Sequence, residues 1–299
     1  MNTLFDQDFF SQHAALQKTF HSHCRKNPSS TKTYTAFQDI IGHYYMNKKR
    51  DFSWRTNISP YRIVVSEIML QQTQTTRVAE KFDAFIATFP SFRSLAEAPF
   101  HEVLRLWKGL GYNRRAQALQ KIALFVCNDF NGTLPSDPII LQTFPGIGKA
   151  TARSIVTFAF NLPSVFIETN IRTVFIYFFF ANQHMITDQQ IEPHVAATVN
   201  QINPREWYYA LMDYGVMLKK MVGNVSRLSA HHHKQSKFEG SERQVRGQIL
   251  QQLLDQPHGL GSDELTKLLH QDPILIDKLI QALCHEQLIT YKNNKLVIT

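Results

Sequence analysis

Three stretches of this 299-residue chain hold residue types that could do chemistry together. Glu67 lies in an apolar stretch between Val65 and Ile68, where burial would raise a carboxyl's pKa and keep its proton on at neutral pH. Glu168 follows the apolar, strand-like run Val165-Phe166-Ile167 and is followed in turn by Thr169-Asn170. Two carboxyls with opposed pKa values supply an acid for a leaving group and an anion for a sugar cation. Cleavage of a glycosidic bond through an oxocarbenium-like cation needs that pair. Between them, Leu141 to Ala152 reads as a helix that ends, turns through Pro145-Gly146-Ile147-Gly148 and restarts at once at Lys149. Gly146 and Gly148 allow close backbone approach, the N–H groups opening the second helix suit a phosphate, and Lys149 adds charge. Taken alone, Glu67 reads as a solvated helix glutamate, the hairpin as a tight corner between helices, and Asn170 as the N-cap of a helix from Ile171.

The elements that must hold these residues are helical. Phe5, Phe9, Ala14 and Leu16 to Phe20 predict an amphipathic first helix, followed by a polar linker over Arg25 to Lys32 and a second helix from Thr33. From Pro60 on, helix-length apolar stripes alternate with breaks at Pro90, Pro99, Gly109-Leu110-Gly111, Gly132 to Pro135, Pro145 to Gly148 and Pro163. No run of alternating strands and no repeat interrupts them, so the fold class is all-α. Composition shifts to basic and polar over Lys219 to Gly240. Three helices then follow, with caps expected at Ser262 and Asp272, and Ile289 to Ile298 reads as a small β-hairpin. Three helices closed by a hairpin is the order of a winged helix. The division predicted is a helical extension and linker over 1–33, a main domain over 34–218, a basic connector over 219–241 and a winged-helix-like domain over 242–299.

Composition narrows the partners. A net charge of +8 and an isoelectric point near 9.3 favour a polyanion, nucleic acid first. The apolar run Val174 to Ala181 is far short of the ~18 residues a membrane span needs, so no membrane partner is expected. Asp6 and Asp8 stand where a secretory signal would carry positive charge, which predicts a cytoplasmic location at the nucleoid. Cys24, Cys127 and Cys284 are too far apart for a disulfide framework or a zinc site, and adjacent His231, His232 and His233 rarely converge on one ion. No metal is expected.

With the hairpin and Phe166 to Asn170 in view, the chain resembles the helix-hairpin-helix DNA glycosylases. Phe52-Ser53-Trp54-Arg55, Pro60-Tyr61, Ser66 to Gln74 and Leu106 to Tyr112 are similar to the MutY-type adenine branch. The resemblance covers about residues 34 to 218. It implies two helical lobes with the active site between them, and a base excision repair enzyme acting on double-stranded DNA with a mispaired or damaged base. The base would be adenine opposite guanine or 8-oxoguanine, and the enzyme a monomer. It makes Glu67 the residue that protonates the adenine and handles water. The acid at position 168 is an aspartate in the family, so Glu168 is one methylene longer, with Asn170 hydrogen-bonding it or the substrate backbone. The resemblance further assigns intercalation and opposite-strand contact to Gln71 and Gln72, and a wedge beside the partner base to Tyr112. Arg114 and Arg115 become phosphate contacts, as do Gly146, Gly148 and Lys149 of the hairpin. Trp54 and Arg55 would line the base pocket, with a plain core tryptophan as the alternative. An alkali cation at the hairpin is also implied.

Two departures from the family shape the expectation. Bifunctional relatives carry a Schiff-base lysine where this chain has Ala150, which predicts a monofunctional enzyme that leaves an abasic site. Lys219 stands where the first of four cluster cysteines would be, so no iron–sulfur ligands are available, and Lys219, Lys220, Arg227 and Lys234 would take over DNA contacts. Tyr209 replaces a polar or acidic residue near the expected pocket, and residues 240 to 299 do not resemble the family's α/β module that reads the opposite base. These leave open uracil or thymine opposite guanine as substrate. Glu168, Ala150 and the winged-helix-like end leave open a DNA-binding protein without catalysis.

Overall fold

The computed structural model describes residues 2–181, 183–232 and 237–299. Its elements in order are α1 (Asn2–Lys26), α2 (Thr31–Lys48), α3 (Ser53–Thr56), α4 (Pro60–Leu70), α5 (Thr75–Thr88), α6 (Phe92–Glu97), α7 (Phe100–Trp107) and α8 (Arg114–Asp129). There follow α9 (Pro138–Leu141), α10 (Lys149–Phe160), α11 (Thr169–Phe179), α12 (Asp188–Thr198) and α13 (Pro204–Met221). The chain closes with α14 (Glu242–Asp255), α15 (Ser262–Leu269), α16 (Pro273–His285), β1 (Ile289–Lys292) and β2 (Lys295–Ile298). Among the described residues no helix is long and apolar enough to cross a membrane.

The chain forms two compact units, and they do not follow the predicted boundaries. One gathers residues 1–56, 136–138 and 148–233, the other 57–135, 139–147 and 234–299. In the first, α1 is part of the core and no mere extension. Phe20 is fully buried, its ring 5.1 Å from Phe178 and 6.3 Å from Phe37, which in turn meets Phe175 at 5.2 Å. Burying each such side chain contributes about 1.5–3 kcal/mol, which is why the helix docks along α2. The expected linker shrinks to a turn, because Ser30 caps α2 by accepting from Thr33 N at 3.2 Å and the helix starts two residues early.

In the second unit, α4 to α8 surround Phe82, Phe85, Leu95, Trp107, Leu119 and Ile122, all fully buried. The last 66 residues belong with them. Leu104 of α7 shares one apolar core with Val245, Ile249, Leu265, Ile280, Leu283 and Leu296. The three expected helices and hairpin are present. β1 and β2 pair antiparallel from Ile289–Ile298 to Lys292–Lys295. The turn between them puts Asn293 and Asn294 at φ 51 and 60, the two-residue turn whose twist suits a hairpin. Asp272 caps α16 as expected, accepting from Ile274 N at 2.7 Å. Ser262 does not cap α15. The N-cap is Gly261, whose N–H donates to Glu264 Oε2 at 2.7 Å, and Ser262 is the first helical residue.

Candidate functional site

The two acids occupy different units, Glu67 on α4 and Glu168 at the start of α11. α4 starts sharply because Pro60 sits in its first turn and Ser59 accepts from Arg62 N. Val64, Val65, Ser66, Ile68 and Met69 are buried around Glu67, which is itself partly buried.

The turn after α4 brings several predicted residues together. Gln72 takes a left-handed conformation at φ 54, and Gln71 Nε2 donates to Gly146 O at 3.0 Å. Gly146 itself has φ 77, and a Cβ there would lie 3.2 Å from Ala118 Cβ, so both conformation and space call for glycine. Gly148 is the extended N-cap of α10, and no side chain caps that helix. Gly148 and Lys149 are exposed, which leaves the helix start open to an anion.

Arg115 is a correction. It is 9% exposed, and burial pulls its pKa down to about 10. Its Nη1 lies 2.9 Å from the carbonyls of Ile68 and Met69 and 2.5 Å from that of Gln71. Its Nη2 reaches Thr73 Oγ1 at 2.9 Å and the Leu110 and Gly111 carbonyls at 3.0 Å. A guanidinium held on six protein oxygens clamps the Gln71 turn to the Gly109–Gly111 turn, so both of its terminal nitrogens are already committed within the protein. Arg115→Ala is therefore expected to cost about 3 kcal/mol or more in urea unfolding, since it strands several buried carbonyls. The slope of DNA affinity against salt should stay unchanged, where loss of a phosphate contact would lower it by about 1. Arg114 is 71% exposed, beside Glu286 at 3.6 Å, and remains a candidate for DNA.

Glu168 owes its place to α11. It is the N-cap, and Oε1 accepts from Asn170 N at 2.9 Å and Ile171 N at 3.0 Å, so the extra methylene still reaches the first-turn N–H groups. Asn170 is not the cap. It lies inside the helix, and its Nδ2 donates to Glu168 Oε2 at 3.2 Å, which orients the carboxyl from the other side. Burial pushes the Glu168 carboxyl above the ordinary carboxylate range. The bonds from Asn170 and Ile171 and the charge of Arg172 oppose that without cancelling it. Phe166 before it stacks on Tyr208 at 4.1 Å, and Arg153 donates to Val165 O at 2.7 Å, which fixes the strand-like approach.

Behind this acid lies a close helix contact. A Cβ on Gly215 of α13 would lie 2.5 Å from Asn170 O and 2.8 Å from Asn170 Cβ. Gly215→Ala should push the first turn of α11 off α13, lower stability by about 1–3 kcal/mol in urea titration and shift the Glu168–Asn170 pair with it.

Trp54 is 4% exposed and stacks on Phe52 at 4.6 Å. Arg55 Nη1 and Nη2 pair with Asp213 at 3.0 Å, and its guanidinium lies 4.3 Å over the Tyr209 ring. Tyr209 stacks on Phe158 at 4.7 Å and is a core ring. Asp213, with its side chain fully buried, also accepts from Arg50 N and Nε at 2.9 and 2.7 Å and ties residues 50 to 55 to α13. Sequence alone assigns Asp213 no role. A lone acid among Leu211, Met212, Tyr214 and Gly215 was the available sign, because a buried charge demands partners.

The family's iron–sulfur cluster does not fit this chain. After α13 come Val222, Gly223 and a 3-10 turn at Val225–Leu228, and the three cysteines, too few for a four-thiolate cluster, are free on α1, α8 and α16. Among the described residues no group of three His, Cys, Asp or Glu could hold a metal. His233 and Lys234 lie outside the described residues.

Known proteins resemble this chain over the segment that carries both acids. Residues 65–201 match the family model described as HhH-GPD superfamily base excision DNA repair protein. An adenine DNA glycosylase of Buchnera aphidicola subsp. Baizongia pistaciae is 35% identical over 190 residues, which are 62% of this chain and 53% of the relative, so the match spans about half its length. One of Mycolicibacterium smegmatis is 29% identical over 82% of this chain and 90% of the relative. The structure of a thermostable thymine-DNA glycosylase shares the fold with a TM-score of 0.56 at 24% identity, over 65% of this chain and 94% of that one. Over residues 65–201 the chain is similar to the HhH-GPD superfamily of base excision DNA repair proteins.

Proposed function

We propose that this chain is a monofunctional DNA glycosylase that removes adenine mispaired with guanine or 8-oxoguanine. The observation that carries the reading is Glu168. Its carboxylate is aimed by two backbone N–H groups and the Asn170 amide, the preorganised anion that a sugar cation needs. Glu67 gives its proton to a ring nitrogen of the extruded adenine. The C1′–N9 bond then breaks with both electrons leaving on the base. The cation at C1′ is stabilised by Glu168, and water adds there and loses a proton. Gly146, Gly148 and Lys149 grip the backbone phosphate at the start of α10. Gln71, Gln72 and Tyr112 fill the gap and meet the opposite strand, which base extrusion requires. Trp54 and Arg55, held by Phe52 and Asp213, form the wall of the base pocket. Ala150, exposed beside Lys149, has no amine for a Schiff base.

In the sequence Tyr209 leaves a different base open. As a ring stacked between Phe158 and Arg55 it is explained by packing and gives no reason to move the substrate. The reaction type is tested by single-turnover incubation with an adenine:8-oxoguanine duplex, with and without alkali, and with borohydride. Strand breakage only after alkali, and no protein–DNA adduct with borohydride, is the expected result. Breakage without alkali would overturn the monofunctional assignment.

A further inference from the structure

The basis lies in the second unit, where Tyr112, 36% exposed, closes the Gly109-Leu110-Gly111 turn with φ 49. A residue with a Cβ in that left-handed region is strained by about 1–2 kcal/mol, so its surroundings must hold it. Two guanidiniums do so. Arg115 lies 5.5 Å from the ring centroid. Arg243 lies 5.7 Å from it and donates Nη1 to the Tyr112 hydroxyl at 2.8 Å.

Arg243 comes from the first turn of α14, 131 residues further along the chain. It can hold this position because the C-terminal segment is seated on the same unit at several points. Leu104 shares its core, Arg105 Nη2 donates to Leu254 O at 3.1 Å, and Gln117 Nε2 donates to Gln287 O at 2.9 Å. Glu286 lies between Arg114 and Arg246. The segment that lacks the family's α/β module thus delivers an arginine to the side chain assigned to the partner base.

We propose that Arg243 is a positioning residue that fixes the Tyr112 ring and, through it, sets the preference for the base opposite the excised adenine. The proposal rests on the glycosylase reading for its substrate. A planar guanidinium can lie over the ring and donate to its hydroxyl together, whereas an ammonium is a point charge, so lysine should not replace it.

The test uses the full chain as wild type, Arg243→Ala, Arg243→Lys, Tyr112→Phe and Arg243→Ala with Tyr112→Phe. Equilibrium affinity is measured for duplexes carrying a tetrahydrofuran abasic analogue opposite 8-oxoguanine and opposite guanine, which needs no excision. Wild type should prefer one partner base. Arg243→Ala, Arg243→Lys and Tyr112→Phe should each reduce that preference about fivefold, and the double variant no further, as coupled residues do. Thermal melting checks that each variant is folded. A wild-type chain without preference, an Arg243→Ala variant that keeps it, equal weakening on both duplexes, or multiplying effects would each overturn the proposal. If the preference moves as expected but wild type excises no adenine, the activity reading fails and the role of Arg243 stands.

Discussion

Glu67→Gln is expected to lower the single-turnover excision rate by ~10³-fold while leaving affinity for the mispaired duplex within about twofold, because general acid catalysis contributes on the order of 10²–10⁴. Glutamine has nearly the same shape and keeps the α4 surface, but it has no proton to give to the departing base. The buried neighbours Val64, Val65, Ile68 and Met69 fix the helix whichever residue stands at 67, so a loss of rate cannot be assigned to a displaced α4. Excision assays and anisotropy on one preparation separate the two effects. Wild-type turnover in Glu67→Gln would remove this residue from the mechanism.

Glu168→Ala is the second large effect. It removes the anion from the cation's side of the reaction, which should cost ~10²–10³ in rate. It also uncaps α11, at about 1 kcal/mol in urea unfolding. Burial raises the Glu168 pKa, which fixes two signs. The working form is the carboxylate, so the acid limb of wild-type activity should begin above the ordinary carboxylate range. A carboxyl with a pKa raised on folding contributes stability that is full below its unfolded value and is lost as pH rises through the folded one. The stability deficit of Glu168→Ala should thus be larger at acid pH than at neutral pH. A deficit that grows from pH 4 to pH 8 would show that the carboxyl is held below its ordinary range.

Much of this was legible in the sequence where local rules decide. The Pro145 to Gly148 turn, the start of α10, the Asn293-Asn294 hairpin and the Asp272 cap each depend on neighbours a few residues away. What escaped depends on distant partners. Arg114 and Arg115 read as twin phosphate contacts, yet one is exposed and the other is buried on oxygens from two separate turns, a difference that no local pattern carries. Taken alone, Asn170 reads as the cap of α11, while in the fold it lies inside the helix against Gly215 and Glu168 is the cap. The first helix reads as separable because the partners of its Phe20, Phe178 and Phe179, lie more than 150 residues away. Arg243 was hidden for the same reason, since its role exists only once α14 lies beside the Tyr112 turn.

The central claim, adenine excision supported by Glu67 and Glu168, is tested most directly by single-turnover incubation of the full chain with a set of duplexes. These carry adenine opposite 8-oxoguanine or guanine, and uracil, thymine or hypoxanthine opposite guanine. The account predicts alkali-revealed cleavage confined to the two adenine duplexes. Cleavage of a different duplex would contradict the assigned base, and tight binding with no excision of any of them would contradict catalysis itself.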